Sequence, residues 1–343
     1  MSAAAAVEEP IEIEDYEPET IVETSQPQPE IQQDFLPPSV PREHTYKSTT
    51  FLTPIPKVIL ENPKEPCVLG VDEAGRGPVL GPMVYGISYC LKNYESILKS
   101  KYGFADSKTL NELKRTNLLK QICDQEGELF EQIGWSTRTM TAMDISSGML
   151  RPPSVGNYNL NEQAHDATMD LIQGVLDQGV NLTEIFVDTV GPPVTYQAKL
   201  QKRFPNLKII VAKKADSIYP IVSAASICAK VTRDFSLNNS KDQLYGSEIT
   251  WGSGYPSDPN TKKWLNNAVD PIFGWDQVVR FSWQTAKDAI IKNDGIEIEW
   301  EEDNEKDDYG DVGKLFRDKA SQGDGLDGLP ISTLWYGRNV NCF

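Results

Sequence analysis

Histidine is almost missing from this chain. Only His44 and His165 occur among its 343 residues. His44 lies in a polar stretch, so a Ser-His-Asp triad would rest on His165 alone, within a helix-patterned segment and with no serine nucleophile motif nearby. Cysteine is sparse as well: Cys67, Cys90, Cys123, Cys228 and Cys342 are scattered, and no two stand as Cys-x-x-Cys. That argues against a structural zinc or a disulfide framework and suits a reduced intracellular compartment. No run of about 18 apolar residues exists, so no membrane partner is expected. The N-terminus is acidic and lacks a charged-then-apolar targeting pattern. Gly75-Arg76-Gly77-Pro78-Val79-Leu80-Gly81 is glycine-rich, yet it has neither the Gly-Lys-Ser/Thr ending of a P-loop nor the G-x-G-x-x-G dinucleotide spacing.

Hydrophobic residues make up 39% of the chain, low for a wholly globular protein, which points to polar ends around a folded middle. The net charge of −17 looks wrong for a nucleic-acid partner. Its distribution reverses that impression. Residues 1–50 hold eleven acids against two bases, and 294–311 hold ten against one, whereas 51–293 balances 26 acids with 26 bases. The low pI therefore describes the ends, and the middle can carry a locally basic surface. Residues 1–60 read as an acidic, proline-rich, disordered arm that cannot bury a core.

Apolar runs at 68–71 and 83–90 read as buried strands, followed by a third over 129–139. Ser107 or Thr109 is placed to cap a helix running through Leu119 and Ile122. Ala164, Ala167, Leu171, Ile172, Val175 and Leu176 recur at helical spacing within 161–178. Ile185 to Asp188 and Leu207 to Ala212 read as further strands. The stretch from Tyr219 to Asp234, rich in small residues, reads as a helix able to pack closely on a sheet. Residues 257–293 are expected to form a helical extension whose Trp264, Phe273, Trp275, Phe281 and Trp283 fill a core. Strand and helix alternate, which argues for an α/β domain over 61–256.

Three of these strands end in acid. The first stops at Asp72-Glu73, the second case is Asp188, and the third is Asp216, just after Lys213-Lys214-Ala215. Adjacent acids at the end of a buried strand repel each other, and a divalent cation is the simplest remedy. Hard oxygen ligands in this number suit Mg2+ or Mn2+, and two such ions can serve phosphodiester hydrolysis. Taken singly, each acid could equally cap a helix or pair with a lysine. Lys108 stands near a helix start, where a phosphate or only solvent could sit.

Asp72-Glu73-Ala74-Gly75-Arg76-Gly77-Pro78, Val187-Asp188-Thr189-Val190-Gly191, and Lys214-Ala215-Asp216 with Ser223-Ala224-Ala225-Ser226-Ile227-Cys228-Ala229-Lys230 up to Arg233-Asp234 occur in that order. Over roughly 65–290 the chain resembles the catalytic subunit of eukaryotic type 2 ribonuclease H. The resemblance implies a ribonuclease H-like α/β fold, a central mixed sheet flanked by helices. It implies that Asp72, Glu73, Asp188 and Asp216 hold two Mg2+ or Mn2+ ions and catalyse hydrolysis. The implied substrates are RNA–DNA hybrids and duplex DNA containing single ribonucleotides, cut to leave 5′-phosphates. Gly75, Arg76 and Gly77 match the turn that reads the ribose 2′-hydroxyl, the one group that separates RNA from DNA at a given position. Tyr255 matches a tyrosine packed on the following deoxyribose, and Lys108 a phosphate-contacting lysine. Arg233 matches a helix residue near the nucleic acid, although it could equally pair with Asp234. The family works as a heterotrimer with two non-catalytic subunits in the nucleus. Residues 294–343 read as an acidic linker and a partner-docking tail. The rival expectation is an inactive nucleic-acid-binding scaffold on the same fold.

Overall fold

A computed structural model describes residues 35–104, 110–152, 155–156, 158–189 and 191–295. In chain order these form β1 (Thr49–Leu52), α1 (Lys57–Glu61), β2 (Cys67–Ala74), β3 (Met83–Leu91), α2 (Glu95–Tyr102), α3 (Glu112–Cys123), α4 (Glu128–Gln132) and β4 (Gly134–Met140). Then follow α5 (Ala142–Met149), α6 (Leu160–Asp177), β5 (Leu182–Asp188), α7 (Pro193–Arg203), β6 (Lys208–Ala212), α8 (Ala215–Ile218), α9 (Pro220–Leu244), α10 (Pro259–Ala268) and α11 (Gln284–Lys292). Among the described residues no helix is long and apolar enough to cross a membrane.

The strands make one mixed sheet in the order β1-β4-β3-β2-β5-β6. β2 pairs antiparallel with β3 and parallel with β5, and β5 pairs parallel with β6. This is the ribonuclease H-like α/β architecture expected above. β3 is buried at every residue and β2 at all but Glu73, which is why their sequences are continuous apolar runs rather than alternating ones. A parallel neighbour requires a crossover, and α7 supplies the one between β5 and β6.

α9 lies directly on the middle of the sheet. A Cβ at Gly70 would stand 2.5 Å from the Ile221 backbone, so only glycine permits this approach. The small residues from Ser223 to Ala229 are buried along the contact, and Ser88 Oγ donates to the Ile221 carbonyl at 2.6 Å. The helix continues past Asp234 to Leu244, because no breaker precedes Gly246.

Several expectations require correction. The third strand begins at Gly134, and residues 128–132 form α4 instead. Glu128 and Glu131 favour the positive end of that helix. α3 is capped by Asn111, whose side chain accepts from Lys114 N at 2.8 Å. Ser107 and Thr109 lie outside the described residues.

The arm expected to be disordered over 1–60 is folded from Phe35 onward, while its first 34 residues lie outside the described residues. Ser39 Oγ and Thr232 Oγ1 share a buried hydrogen bond of 2.7 Å. Asn239 Nδ2 donates to the Pro41 carbonyl at 3.0 Å, and Gln243 Nε2 to that of Arg42 at 2.7 Å. The strap then enters the sheet edge as β1, antiparallel to β4. Composition averaged over fifty residues hides this, because the acids crowd the first 34 and thin out beyond them.

Among the described residues, those up to Ile249, together with Gln277–Ser282, form one compact unit; Thr250–Asp276 and the residues from Trp283 to Gly295 belong to a second. The stretch 257–293 is therefore not one helical extension. Between α10 and α11 the chain returns to the first unit, where Leu80 bridges Val279 and Gly81 N donates to the Val278 carbonyl at 2.7 Å. In the second unit Trp264 meets Trp251 edge-on at 5.6 Å, and Trp275 Nε1 donates to the Leu265 carbonyl at 2.9 Å. These tryptophans pack as expected. Phe273 does not: it is 81% exposed on a turn capped by Asp270.

Candidate active site

The site begins with register. β2 and β5 run parallel with Val71 opposite Val187, so Asp72 and Asp188 leave the sheet at the same end and height. Asp188 in turn stands opposite Ala212 on β6. Ala215 N donates to Asp188 Oδ1 at 3.0 Å, which holds the start of α8 and its buried Asp216 against the end of β5. Three strand ends that are remote in sequence thus adjoin.

Their charges act on one another. Burial pushes the Asp72 carboxyl up to about 7, and the Asp188 charge adds to this. Ser226, Lys230 and the Glu73 N–H, which donates to Asp72 Oδ1 at 2.7 Å, oppose the rise without cancelling it. Glu73 is raised well above the usual carboxylate range, first by burial, then by Asp72, with Asp188 contributing; Arg76 and Lys230 pull the other way. Lys230 and Ser226 were quoted in the sequence motif without a role, and the fold places both against the acids. Among the described residues no three His, Cys, Asp or Glu side chains already stand close enough to hold an ion. The donor chemistry nonetheless fits one: hard carboxylates, mutually repelling and under-neutralised, are what Mg2+ and Mn2+ favour.

Beyond β2 the backbone turns at Gly75, whose φ is +76°. A Cβ there would also meet the Pro82 carbonyl at 2.7 Å. Arg280 holds this turn from inside. It is fully buried, and its Nε donates to Gly81 O at 3.0 Å, Nη1 to Arg76 O at 2.8 Å and Nη2 to Gly75 O at 2.5 Å. The sequence reading missed Arg280 because it took 257–293 as helical. An arginine inside Val278-Val279-Arg280-Phe281 was the available signal.

Arg76 Nη2 donates to Asn161 Oδ1 on α6. Tyr85, opposite Glu73 on β3, has a fully buried ring beside them; burial and the Glu73 charge push its hydroxyl well above the usual range. Arg233 packs on the turn, its Cγ being 3.1 Å from where a Gly75 Cβ would lie, and Nη1 pairs with Asp234 Oδ1 at 3.1 Å. The pairing with Asp234, one of the two expectations for Arg233, is present. Arg76 Nη1 and Arg233 Nε and Nη2 are buried without an acceptor. Such donors are costly to bury unless something answers them.

Gly77 is exposed at the lip of the turn. Lys108 lies outside the described residues. Tyr255 belongs to the second unit and is 46% exposed. Its loop is fixed by Asp258 Oδ2, which accepts from Ser253 N at 2.6 Å, and by Thr261 Oγ1, which accepts from Gly254 N at 3.0 Å.

The profile of the family described as ribonuclease HII matches residues 69–286. The chain belongs to the ribonuclease HII family. A ribonuclease H2 subunit of Schizosaccharomyces pombe is 49% identical over 302 residues, covering 84% of this chain and 90% of that protein. Its counterpart in Bos taurus, also a ribonuclease H2 subunit, is 49% identical over 266 residues, covering 77% of this chain and 84% of its own. The solved ribonuclease H2 of Pyrococcus horikoshii OT3 is 31% identical, with a TM-score of 0.54, covering 66% of this chain and 98% of that one.

Proposed function

We infer that this chain is the catalytic subunit of a ribonuclease H2 assembly. It is an endoribonuclease acting on RNA–DNA hybrids, as its family membership and its relatives establish. The finer reading is that it also cuts on the 5′ side of single ribonucleotides in duplex DNA, leaving a 3′-hydroxyl and a 5′-phosphate. One observation supports hydrolysis of a phosphodiester at this site: Asp72, Glu73 and Asp188 sit beside Arg76 and Arg233, whose buried guanidinium donors lack acceptors. Acids that want a cation next to arginines that want an anion suit a metal-assisted attack on a phosphodiester.

Asp72, Glu73, Asp188 and Asp216 would hold Mg2+ or Mn2+, two ions during catalysis. When bound, these supply Lewis-acid activation of the attacking water and charge for the leaving 3′-oxygen. Arg76 and Arg233 offer the charge of their guanidinium groups to the phosphates, and Lys108 adds a further contact along the backbone. The N–H groups of the turn at Gly75, Arg76 and Gly77 read the 2′-hydroxyl, with the carbonyls of Gly75 and Arg76 already engaged by Arg280. Tyr255 packs on the sugar that follows, where an extra oxygen would crowd its ring, and so favours an RNA-to-DNA junction.

By the same reading the chain assembles with two non-catalytic subunits and works in the nucleus. The proposed contact is the aromatic C-terminal tail over 326–343, which lies outside the described residues.

The test is cleavage of labelled substrates with Mg2+, by the chain alone and with its partner subunits. An RNA–DNA hybrid and a duplex with one ribonucleotide should be cut, the latter 5′ of the ribonucleotide. An all-DNA duplex cut at the same rate would overturn the ribose-reading assignment. Binding of both substrates without any cleavage would favour the inactive-scaffold reading instead.

A further inference from the structure

We propose that Asn161 is a positioning residue for the Arg76 guanidinium, tying the turn after β2 to the start of α6. The inference rests on the functional reading above. Arg76 Nη2 donates to Asn161 Oδ1 across 85 residues of sequence. Asn161 is itself immobilised, because it lies in the first turn of an 18-residue helix closed by a reciprocal cap. Asn159 Oδ1 accepts from Asn161 N at 2.9 Å and from Glu162 N at 3.0 Å, and Glu162 Oε2 accepts from Asn159 N at 3.2 Å. Asn161 Nδ2 lies 3.9 Å from where a Cβ at Gly191 would stand, so the loop after β5 passes near it. Gly191 follows Asp188 by three residues, and Thr189 Oγ1 donates to its carbonyl at 2.7 Å.

An amide suits this position better than a carboxylate. Asp188 already repels both Asp72 and Glu73, and Asp72 repels Glu73. A further negative charge would deepen that repulsion and tie up the arginine. A neutral acceptor orients the guanidinium, leaves its charge to Glu73 and the substrate, and occupies only one arm. The other arm, Nη1, stays buried without an acceptor, so a substrate meets the guanidinium's charge rather than that nitrogen. Pre-ordering a long side chain removes part of the ordering cost that binding would otherwise carry.

The experiment is a double-mutant cycle in the full chain, assembled with its partner subunits if turnover requires them. Wild type, Asn161→Ala, Arg76→Ala and the double variant are compared on an RNA–DNA hybrid. KM and kcat are measured with Mg2+, and Kd by fluorescence anisotropy in EDTA. Asn161→Ala should raise KM and Kd about 3- to 10-fold, with kcat within about 2-fold. In the Arg76→Ala background it should add nothing. An unchanged Kd, or the same loss with and without Arg76, overturns the proposal. If Asn161→Ala fails to fold, Asn161→Ser goes through the same cycle under the same criteria. A wild-type chain that leaves the hybrid uncut overturns the functional reading and this inference together, whereas normal cleavage with an additive cycle overturns only this one.

Discussion

Arg280 Nη2 donates to the carbonyl oxygen of Gly75 at 2.5 Å, although 205 residues separate them. The same guanidinium reaches the carbonyls of Arg76 and Gly81, so one buried cation fixes the inner side of the whole turn. Arg280→Gln, with two N–H donors and no charge, can answer at most two of those three carbonyls. The expected loss is about 2–4 kcal/mol of stability, from charge-assisted bonds and stranded acceptors. Urea denaturation would measure it. Arg280→Lys keeps the charge without the planar fork and should fall in between. Stability equal to wild type in both variants would mean the turn is held by other contacts.

Asp72 makes the metal-free protein sensitive to pH. Its folded-state carboxyl sits near 7, raised mainly by burial, against an ordinary value of 3.8. The folded chain therefore binds a proton that the unfolded chain has released between those values. Stability must fall as pH rises from about 4 to about 7. Glu73, raised in the same direction, acts with the same sign. In EDTA, Tm should be higher at pH 5 than at pH 8, and Asp72→Asn should flatten much of that difference. A Tm that climbs with pH over this window would contradict the electrostatic account.

Asp188→Asn separates chemistry from scaffolding. The amide oxygen can still accept from Ala215 N, so the join between β5 and α8 should survive. Turnover should drop roughly 10²- to 10³-fold, the scale seen when a preorganised charge-stabilising group is lost. Circular dichroism and Tm in EDTA should stay near wild type or rise. Aggregation of this variant would assign Asp188 a structural role instead.

The N-terminal strap gives a two-point truncation test. Removing 1–34 leaves Ser39, Val40 and the backbone acceptors of Pro41 and Arg42 on α9. Removing 1–48 takes all of them away while sparing β1. Only the second truncation should lower Tm, with the Ser39–Thr232 bond alone contributing about 1 kcal/mol. Equal melting of both truncations would show that the strap is not bound in solution.

Much of the site was readable in order along the chain. Val68 to Val71, Ile185 to Val187 and Ile209 to Val211 announce buried strands, because a strand covered on both faces must be apolar throughout. The acids that stop the first two, and Asp216 close behind the third, stand out for the same reason. The regular spacing from Ala164 to Leu176 gives α6, and the small residues from Ser223 to Ala229 announce a helix pressed onto a sheet. Residues 128–132 misled because a short apolar run suits helix and strand alike. The strap misled because its holding forces lie on α9, nearly two hundred residues away.

By itself, then, the sequence determined which segments are buried, where strands stop, and which carboxylates stand at their ends. These follow from local periodicity and from the cost of leaving apolar groups in water. Only the tertiary structure decided that β2 and β5 are neighbours, that Arg280 lies beneath Gly75 and that Asn161 meets Arg76. Those relationships join residues 85 to 205 positions apart, or depend on strand order. They exist because buried donors and acceptors must find one another once the sheet and its helices have packed, and no local pattern along the chain records which partner is found.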